Sequence, residues 1–589
     1  MRDGLLPKRH RRKCLLRSRG IGLCYGACGD MRVGIFICHC GHNIKSNVDV
    51  EALRRYFEGL PSVATSLDYT FFCSEPGQRM IKEEIERKGL ERVVIAACTP
   101  SLHTGLFREV LRKAGLNPYL LKVASIREHC AFVGEDVQGN TEKAKRLILS
   151  ALYASTQLMP AQERKVDVVR SAAVLGGGVA GLSAALFLGE RGLQVYLLEK
   201  EAELGGTVKR LKSIWPSGIS GEKLISSLEW QVLNHRNVVV RTSGRLLGLE
   251  GSFGDYSLLM QTERGEERFR AGGIIVAIGA RPFNPRGRKE LWYGKDERIL
   301  TTSDVEEGSR LRLKEGAKVA ILHCVGSRDE TIGRPYCSKI CCVNALRVAR
   351  MVKEVHPEAH VECFYMDMRA HPKGAEELYE QLQREGVIFT RAAISEVVPL
   401  REGVVLRGED TFLSQVFEKV FDWVVLSCGL VPAEDAREIA SLLHVPLDKD
   451  GFFLEAHPKL RPLESPVKGI LLAGSASGPK DIEESIASGR ACAARLFTLL
   501  SKGYTLLDPF FAAVSDKRCS GCRVCEAVCV FRAIRWDEER RKVRVDEAAC
   551  AGCGLCASLC PSSAIGIKGA GDGMICEEVS GLLEVPWMT

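Results

Sequence analysis

The chain has 589 residues, 46% hydrophobic and 26% charged, with a formal net charge of +8; that length allows two to four domains, each with its own core. Residues 1–30 carry eight Lys or Arg against two Asp, so most of the excess charge sits in one short stretch, and the near-neutral remainder excludes a nucleic-acid binder. The chain has 24 cysteines, many in CxxC runs, and no run of eighteen apolar residues, which excludes a transmembrane helix and favours thiolate ligands in a reducing, cytoplasmic compartment over secreted disulfides.

The basic head, MRDGLLPKRHRRKCLLRSRG, lacks the uninterrupted apolar stretch of a signal peptide, because Arg17 and Arg19 break it. It reads as a disordered extension or as the product of an upstream start codon, with Met31 as the candidate first residue. Residues 31–150 then read as an α/β domain. MRVGIFIC predicts a strand that delivers Cys38 and Cys40; Cys73 in FFCSEPGQ and Cys98 in RVVIAACTPSLH follow two further strands. Three strand ends can converge on one edge of a parallel sheet, which leaves a meeting of these four thiols open. His39, His42 and Cys130 are the alternatives or neighbours.

Residues 169–200 run strand, Gly176-x-Gly178-x-x-Gly181, helix, strand, Glu199-Lys200. This is the order and spacing of a dinucleotide site. Gly176 permits the tight turn, Gly178 the backbone's approach to a pyrophosphate, and Gly181 close helix packing. The helix amino terminus faces the phosphates, and Glu199 is placed to hold the ribose hydroxyls. Gly206 follows in EAELGGT, Ala277 and Gly279 end the strand of GGIIVAIGARP, and Gly474, Lys480 and Asp481 lie in GILLAGSASGPKDIEESIASG. The last two segments resemble the later elements of the two-dinucleotide-domain flavoproteins, the family of thioredoxin and glutathione reductases. By that resemblance 169–315 plus 465–500 form an FAD domain, with Asp481 near the ribityl chain and ring. Lys480 reads either as a positive charge beside the flavin or as a solvent residue at a helix start.

Residues 316–464 begin like a second Rossmann-like domain with KVAILHC, but VGSRDETIGRPYCSKICC replaces the glycine fingerprint. An NAD(P)H site is therefore not expected there. Cys324, Cys337, Cys341 and Cys342 occupy the region, either around one cubane or as a redox-active thiol pair. Near the end, Cys519, Cys522, Cys525 and Cys529 form C-x2-C-x2-C-x3-C, and Cys550, Cys553, Cys556 and Cys560 repeat it before Pro561. This is the two-cluster ferredoxin pattern, in which each fourth cysteine serves the other cluster. Cys519, Cys522, Cys525 and Cys560 are expected at one [4Fe-4S] cluster, and Cys550, Cys553, Cys556 and Cys529 at the other, within a domain at 510–568. Val530 stands where the pattern usually has proline.

HCVGSRD…YCSKICC, HPKLRP and AGSASGPKDIEESIASG resemble the A-type chains of heterodisulfide reductase and their bacterial relatives, from about Met31 to Lys568. The resemblance implies a [4Fe-4S] cluster on Cys324, Cys337, Cys341 and Cys342, and another on Cys38, Cys40, Cys73 and Cys98. The extra ferredoxin insertion found in part of the family is absent after the LGG loop. The expectation is therefore an oxidoreductase with one FAD and four [4Fe-4S] clusters, its catalytic residues unassigned. The implied partners are B- and C-like subunits, a donor module linked to hydrogen, formate or NADH, ferredoxin, and a second copy of the chain, with membrane contact only through partners. The competing readings are a self-contained NAD(P)H- or ferredoxin-linked flavin oxidoreductase and a structural iron–sulfur scaffold. Cys14, Cys24, Cys28, Cys363, Cys428, Cys492 and Cys576 carry no assignment.

Overall fold

A computed structural model describes residues 31–308 and 311–583. The basic head, with Cys14, Cys24 and Cys28, lies outside the described residues.

The first layer is a parallel four-stranded sheet in the order Val63–Tyr69, Val33–Cys38, Arg92–Ala97, Leu121–Ser125. VGIFIC is buried at every position, as a central parallel strand covered on both faces must be. Val33, Ile35 and Ile37 pack on one side against helices Val50–Glu58 and Val137–Ser155, while Phe36 and Cys38 face Phe72, Ile81 and Phe107 on the other. Side chains cap the helix starts. Asp49 accepts from Ala52 N at 2.9 Å, and Ser74 accepts from Gly77 N at 3.4 Å, each satisfying an otherwise orphaned N–H.

The second layer holds a parallel five-stranded sheet ordered Ile470–Leu472, Gly273–Val276, Ser171–Leu175, Gln194–Leu198, Val238–Arg241. Helix Val179–Glu190 is apolar nearly all round, which suits its position between this sheet and helix Ile482–Leu500. Gly489 allows that contact, since a Cβ there would meet Ala180 O at 2.3 Å. An antiparallel three-stranded meander over 245–271 flanks the sheet.

The chain crosses to the next domain and back through a short antiparallel pair, Ala280–Pro282 with Leu430–Pro432. That domain has a seven-stranded sheet ordered Ile299–Thr301, Trp423–Cys428, Lys318–Val325, His360–Tyr365, Ile388–Leu400, Gly403–Asp410, Gln415–Phe421. The expected boundary at 315 therefore cuts this sheet: Ile299–Thr301 already pairs with Val424–Leu426. A three-residue strand carries too little pattern to be assigned from sequence.

At the end of the chain, two small hairpin-like pairs and two short helices enclose a core of Ala512, Cys525, Ile534, Val543, Cys556 and Ile565. Beyond the expected end at 568, helix Asp572–Leu583 returns to the first domain. Gly581 lies directly on the backbone of Leu149 and Ser150, where a Cβ would sit 2.6 Å from Ser150 N. Lys122 and Glu578 form an ion pair at the same junction.

Candidate functional site

A cleft of about 1110 Å³ opens between the second and third domains. Gly176, Gly178, Glu199, Lys200, Gly206, Ala277, Gly279, Gly474, Lys480 and Asp481 all line it. Gly176 has φ 105°, and a Cβ there would meet Ala277 O at 2.4 Å, so the turn after the first strand requires glycine. A Cβ on Gly178 would meet nothing within 4 Å; this backbone faces open space at a helix amino terminus. Gly181 does not line the cleft. Its missing Cβ would lie 1.9 Å from Gly176 O, so it serves the packing of helix on turn. The Glu199 carboxylate is buried and accepts from Gly177 N at 2.5 Å and Glu201 N at 2.9 Å, which fixes it while leaving further acceptor capacity. Lys200 pairs with Asp435 at 3.0 Å across the mouth.

Asp481 caps the helix that closes the cleft. Its side chain accepts from Glu484 N at 2.8 Å while Glu484 reaches back to Asp481 N at 3.1 Å, a reciprocal capping box. Lys480 lies beside it, hydrogen-bonded to Ser477 Oγ at 2.9 Å; burial lowers its pKa, opposed by Glu455 and Glu484. Lys480 is thus a half-buried cation of the cleft wall rather than a solvent residue.

The opposite wall comes from the cysteine-rich segment. Lys339, Ile340, Val343 and Asn344 line the cleft, and Lys339 pairs with Glu484 at 2.8 Å. Buried hydroxyls hold this loop: Ser338 Oγ meets Ser327 Oγ at 3.0 Å and accepts from Leu430 N at 2.9 Å. Cys324, at the end of its strand, has φ 59°, an uncommon conformation for a non-glycine residue. A hydrogen bond shared with Cys341 lowers the pKa of Cys324 and raises that of Cys341, with Arg328 and Arg369 also close to Cys324. Cys337 and Cys342 are neighbours of the same pair. The four thiols therefore gather at the amino end of helix Cys341–Val355, where the helix dipole favours negative charge. Burial pushes Cys342 up to about 11.

In the first domain, Cys38, Cys73 and Cys98 stand at or just beyond the carboxyl ends of three adjacent strands. Cys38 has Cys40 and Cys73 as neighbours, and Cys98 has Cys40 and Cys38. Cys73 and Cys98 each lead into a helix, Glu75–Lys88 and Pro100–Lys113. Cys130 lies apart in the opposite core layer, its thiol donating to Asn140 O at 2.9 Å. His39 is engaged by Asp68 at 2.7 Å.

In the last domain, Cys556 has Cys550, Cys553 and Cys529 as neighbours, and Cys525 has Cys522. Cys519 and Cys560 pack against the same small core. The two halves match: Ala533 N donates to Cys529 Sγ at 3.3 Å, and Ala564 N to Cys560 Sγ at 3.3 Å. Val530, where the pattern usually has proline, is 65% exposed. Among the described residues no three His, Cys, Asp or Glu gather around a single metal-ion position. A cubane makes a looser demand, because each thiolate binds a different iron.

The pyridine nucleotide-disulphide oxidoreductase family pattern matches residues 170–489, and the 4Fe-4S dicluster domain pattern matches 518–564. The chain is 34% identical to one of the two iron–sulfur A-type chains of CoB–CoM heterodisulfide reductase from Methanopyrus kandleri, over 87% of this chain and 91% of that one. It is 34% identical to the A-type chain of the H2:CoB-CoM heterodisulfide,ferredoxin reductase of Methanothermobacter marburgensis, over 88% and 92%. The chain belongs to the heterodisulfide reductase A family. A solved thioredoxin reductase from Lactococcus lactis is 18% identical, covering 56% of this chain and 99% of that one, with a TM-score of 0.42.

As a heterodisulfide reductase A-type protein the chain is an oxidoreductase, a two-dinucleotide-domain α/β flavoprotein ending in a 4Fe-4S ferredoxin domain. The donor sets fit the groups the family implies: a glycine cradle open where a Cβ would project, and buried thiols whose neighbours are other thiols. The cleft also holds residues that motif reading did not reach: Lys339, His371, and the buried pair Glu306 and Arg347. They come from segments with no nucleotide signature. Among the described residues, no helix is long and apolar enough to cross a membrane.

Proposed function

We propose that this chain is the electron-distributing component of a heterodisulfide-reductase-like complex. It takes electrons from a donor module linked to hydrogen, formate or NADH and delivers them to B- and C-like disulfide-reducing partners, with ferredoxin as a further partner. The observation that carries this reading is the shared wall: the loop bearing Cys337, Cys341 and Cys342 lines the same cleft as Gly178 and Asp481. FAD, when bound, supplies exchange between electron pairs and single electrons. Gly176, Gly178, Glu199, Gly206, Ala277, Gly279, Gly474 and Asp481 would hold it, with Lys200 at the mouth and Lys480 and Lys339 supplying positive charge. The four cysteine sets would hold four [4Fe-4S] clusters. Exits at separate clusters suit bifurcation, in which one electron pair is divided between acceptors of high and low potential. A homodimer within the larger complex, at the membrane only through partners, completes the proposal.

Iron, acid-labile sulfide and flavin per chain, measured on protein purified without oxygen, test it. About sixteen iron and one FAD are expected from four cubanes. About eight iron would leave only the ferredoxin domain filled and overturn the reading. Mixing the purified chain with NADH separates it from a self-contained flavin oxidoreductase: no flavin bleaching is expected without partners.

A further inference from the structure

Arg127 lies between the first-domain thiols and the protein surface, in a place no motif marks. Residues Arg127–Ala131 form a π-helical turn, with Phe132 N bonded to Arg127 O at 2.9 Å. Such turns are rare and concentrate at functional sites. This one directs the Arg127 guanidinium at Cys40, with Nη1 donating to Sγ at 3.1 Å. Cys98 also lies within reach of its charge. Glu128 fixes the group from the far side, accepting from Nε at 3.0 Å and Nη2 at 2.7 Å, and is itself held by Ser125 Oγ at 3.1 Å. The Phe132 ring covers the guanidinium at 5.5 Å. The donor edge is therefore oriented in advance and only about a fifth exposed. Cys40 has φ 50°, a backbone conformation that brings its thiol to this donor at some cost.

We infer that Arg127 is a potential-setting residue for the first-domain cluster, its N–H bond to the Cys40 thiolate favouring the reduced state. The inference rests on the proposal that Cys38, Cys40, Cys73 and Cys98 hold a [4Fe-4S] cluster. The physical reason is simple. Reduction adds one negative charge to the thiolate-ligated cubane, and a charge-assisted donor 3.1 Å from a ligand sulfur stabilises the more negative state. The arginine is permanently charged, so the effect does not depend on pH near neutrality. It sets this cluster apart from the ferredoxin pair, where Cys529, Cys550 and Cys560 meet backbone N–H groups and the Ser562 hydroxyl.

The test is an EPR-monitored redox titration of the full chain, wild type against Arg127→Gln and Arg127→Lys, with Cys98→Ser identifying the signal of this cluster. The expected result is a signal lost in Cys98→Ser and shifted to lower potential in Arg127→Gln. The shift should correspond to about a tenfold change in the reduction equilibrium, near 59 mV for one electron. Arg127→Lys should fall between that variant and wild type, and the ferredoxin signals should stay in place. A Cys98-dependent signal that does not move in Arg127→Gln overturns the inference. If Arg127→Gln loses the cluster, Arg127→Lys decides, and an unshifted potential overturns it. Absence of any Cys98-dependent signal in the wild type sinks the ligand assignment instead.

Discussion

Glu199 shows how much chemistry one side chain carries here. Its carboxylate is buried, preset by two backbone N–H groups, and faces the cleft with acceptor capacity to spare. Replacing it with alanine removes charge-assisted bonds worth about 1.5–3 kcal/mol each. FAD is then expected to bind roughly ten- to a hundredfold more weakly, as equilibrium dialysis against flavin would show. Two glycines separate binding from folding. Gly178→Val fills space that is empty of protein, so the variant is expected to fold but lose flavin. Gly181→Val drives a side chain into Gly176 O and is expected to lower both soluble yield and flavin content. If Gly178→Val retains full flavin, the phosphate-facing role of that backbone is wrong. These positions were legible because each glycine's role is local, a matter of φ and of what a Cβ would strike. Arg127 was not legible: its contact with Cys40 spans 87 positions and depends on a turn that no composition announces.

At the scale of elements, the parallel sheet explains why cysteines far apart in sequence, grouped there by family resemblance, come near one another. Strands running the same way end on one edge, so Cys38 has Cys73 as a neighbour and Cys98 has Cys38. The central loop offered no such rule. Its spacing left a cubane and a thiol pair equally open, and only the fold brings Cys324 to the helix that begins at Cys341. The Asp481 capping box invites a direct test. Asp481→Ala should cost about 1 kcal/mol through loss of the cap and loosen the first turn of helix Ile482–Leu500. Faster hydrogen exchange confined to Ile482–Ser485 is the expected observation, together with altered flavin absorbance. Unchanged exchange would mean that Glu484 and Lys339 hold the turn without the cap. The buried pair Glu306 and Arg347 joins the flavin domain to the cluster-bearing helix. Glu306→Ala leaves a buried charge alone, a change worth about 3–5 kcal/mol. It should appear as earlier urea unfolding of the domain built on the seven-stranded sheet.

At the scale of the whole molecule, the ferredoxin domain is attached at several points. Asp508 accepts from Arg108 at 3.0 Å and from Tyr119 Oη at 3.0 Å, the Phe510 ring packs on Tyr119, and Arg164 pairs with Glu547 at 2.7 Å. Exposed pairs of this kind contribute little singly, so Asp508→Asn alone should change proteolytic susceptibility only slightly. Removing residues 571–589 should have a larger effect, with rapid trypsin cleavage between the helix ending at Leu500 and Lys517. Equal cleavage rates in the truncated and full chains would argue that the helix is an ornament. That helix escaped sequence reading because its apolar residues sit mainly on its outer side, with Ile575 52% and Val579 47% exposed. Its docking depends instead on Gly581, an absence of side chain rather than a pattern.

The return of helix Asp572–Leu583 onto Val137–Ser155 also has a consequence for biosynthesis. On the ribosome, the first domain emerges early, but the groove at Leu149 and Ser150 that receives Gly581 stays uncovered until the codons around Gly581 have been read. A nascent chain therefore carries an unfinished seam while the flavin, central and ferredoxin domains are all being made. Translation that stops at any earlier codon releases a product whose opening domain was never closed.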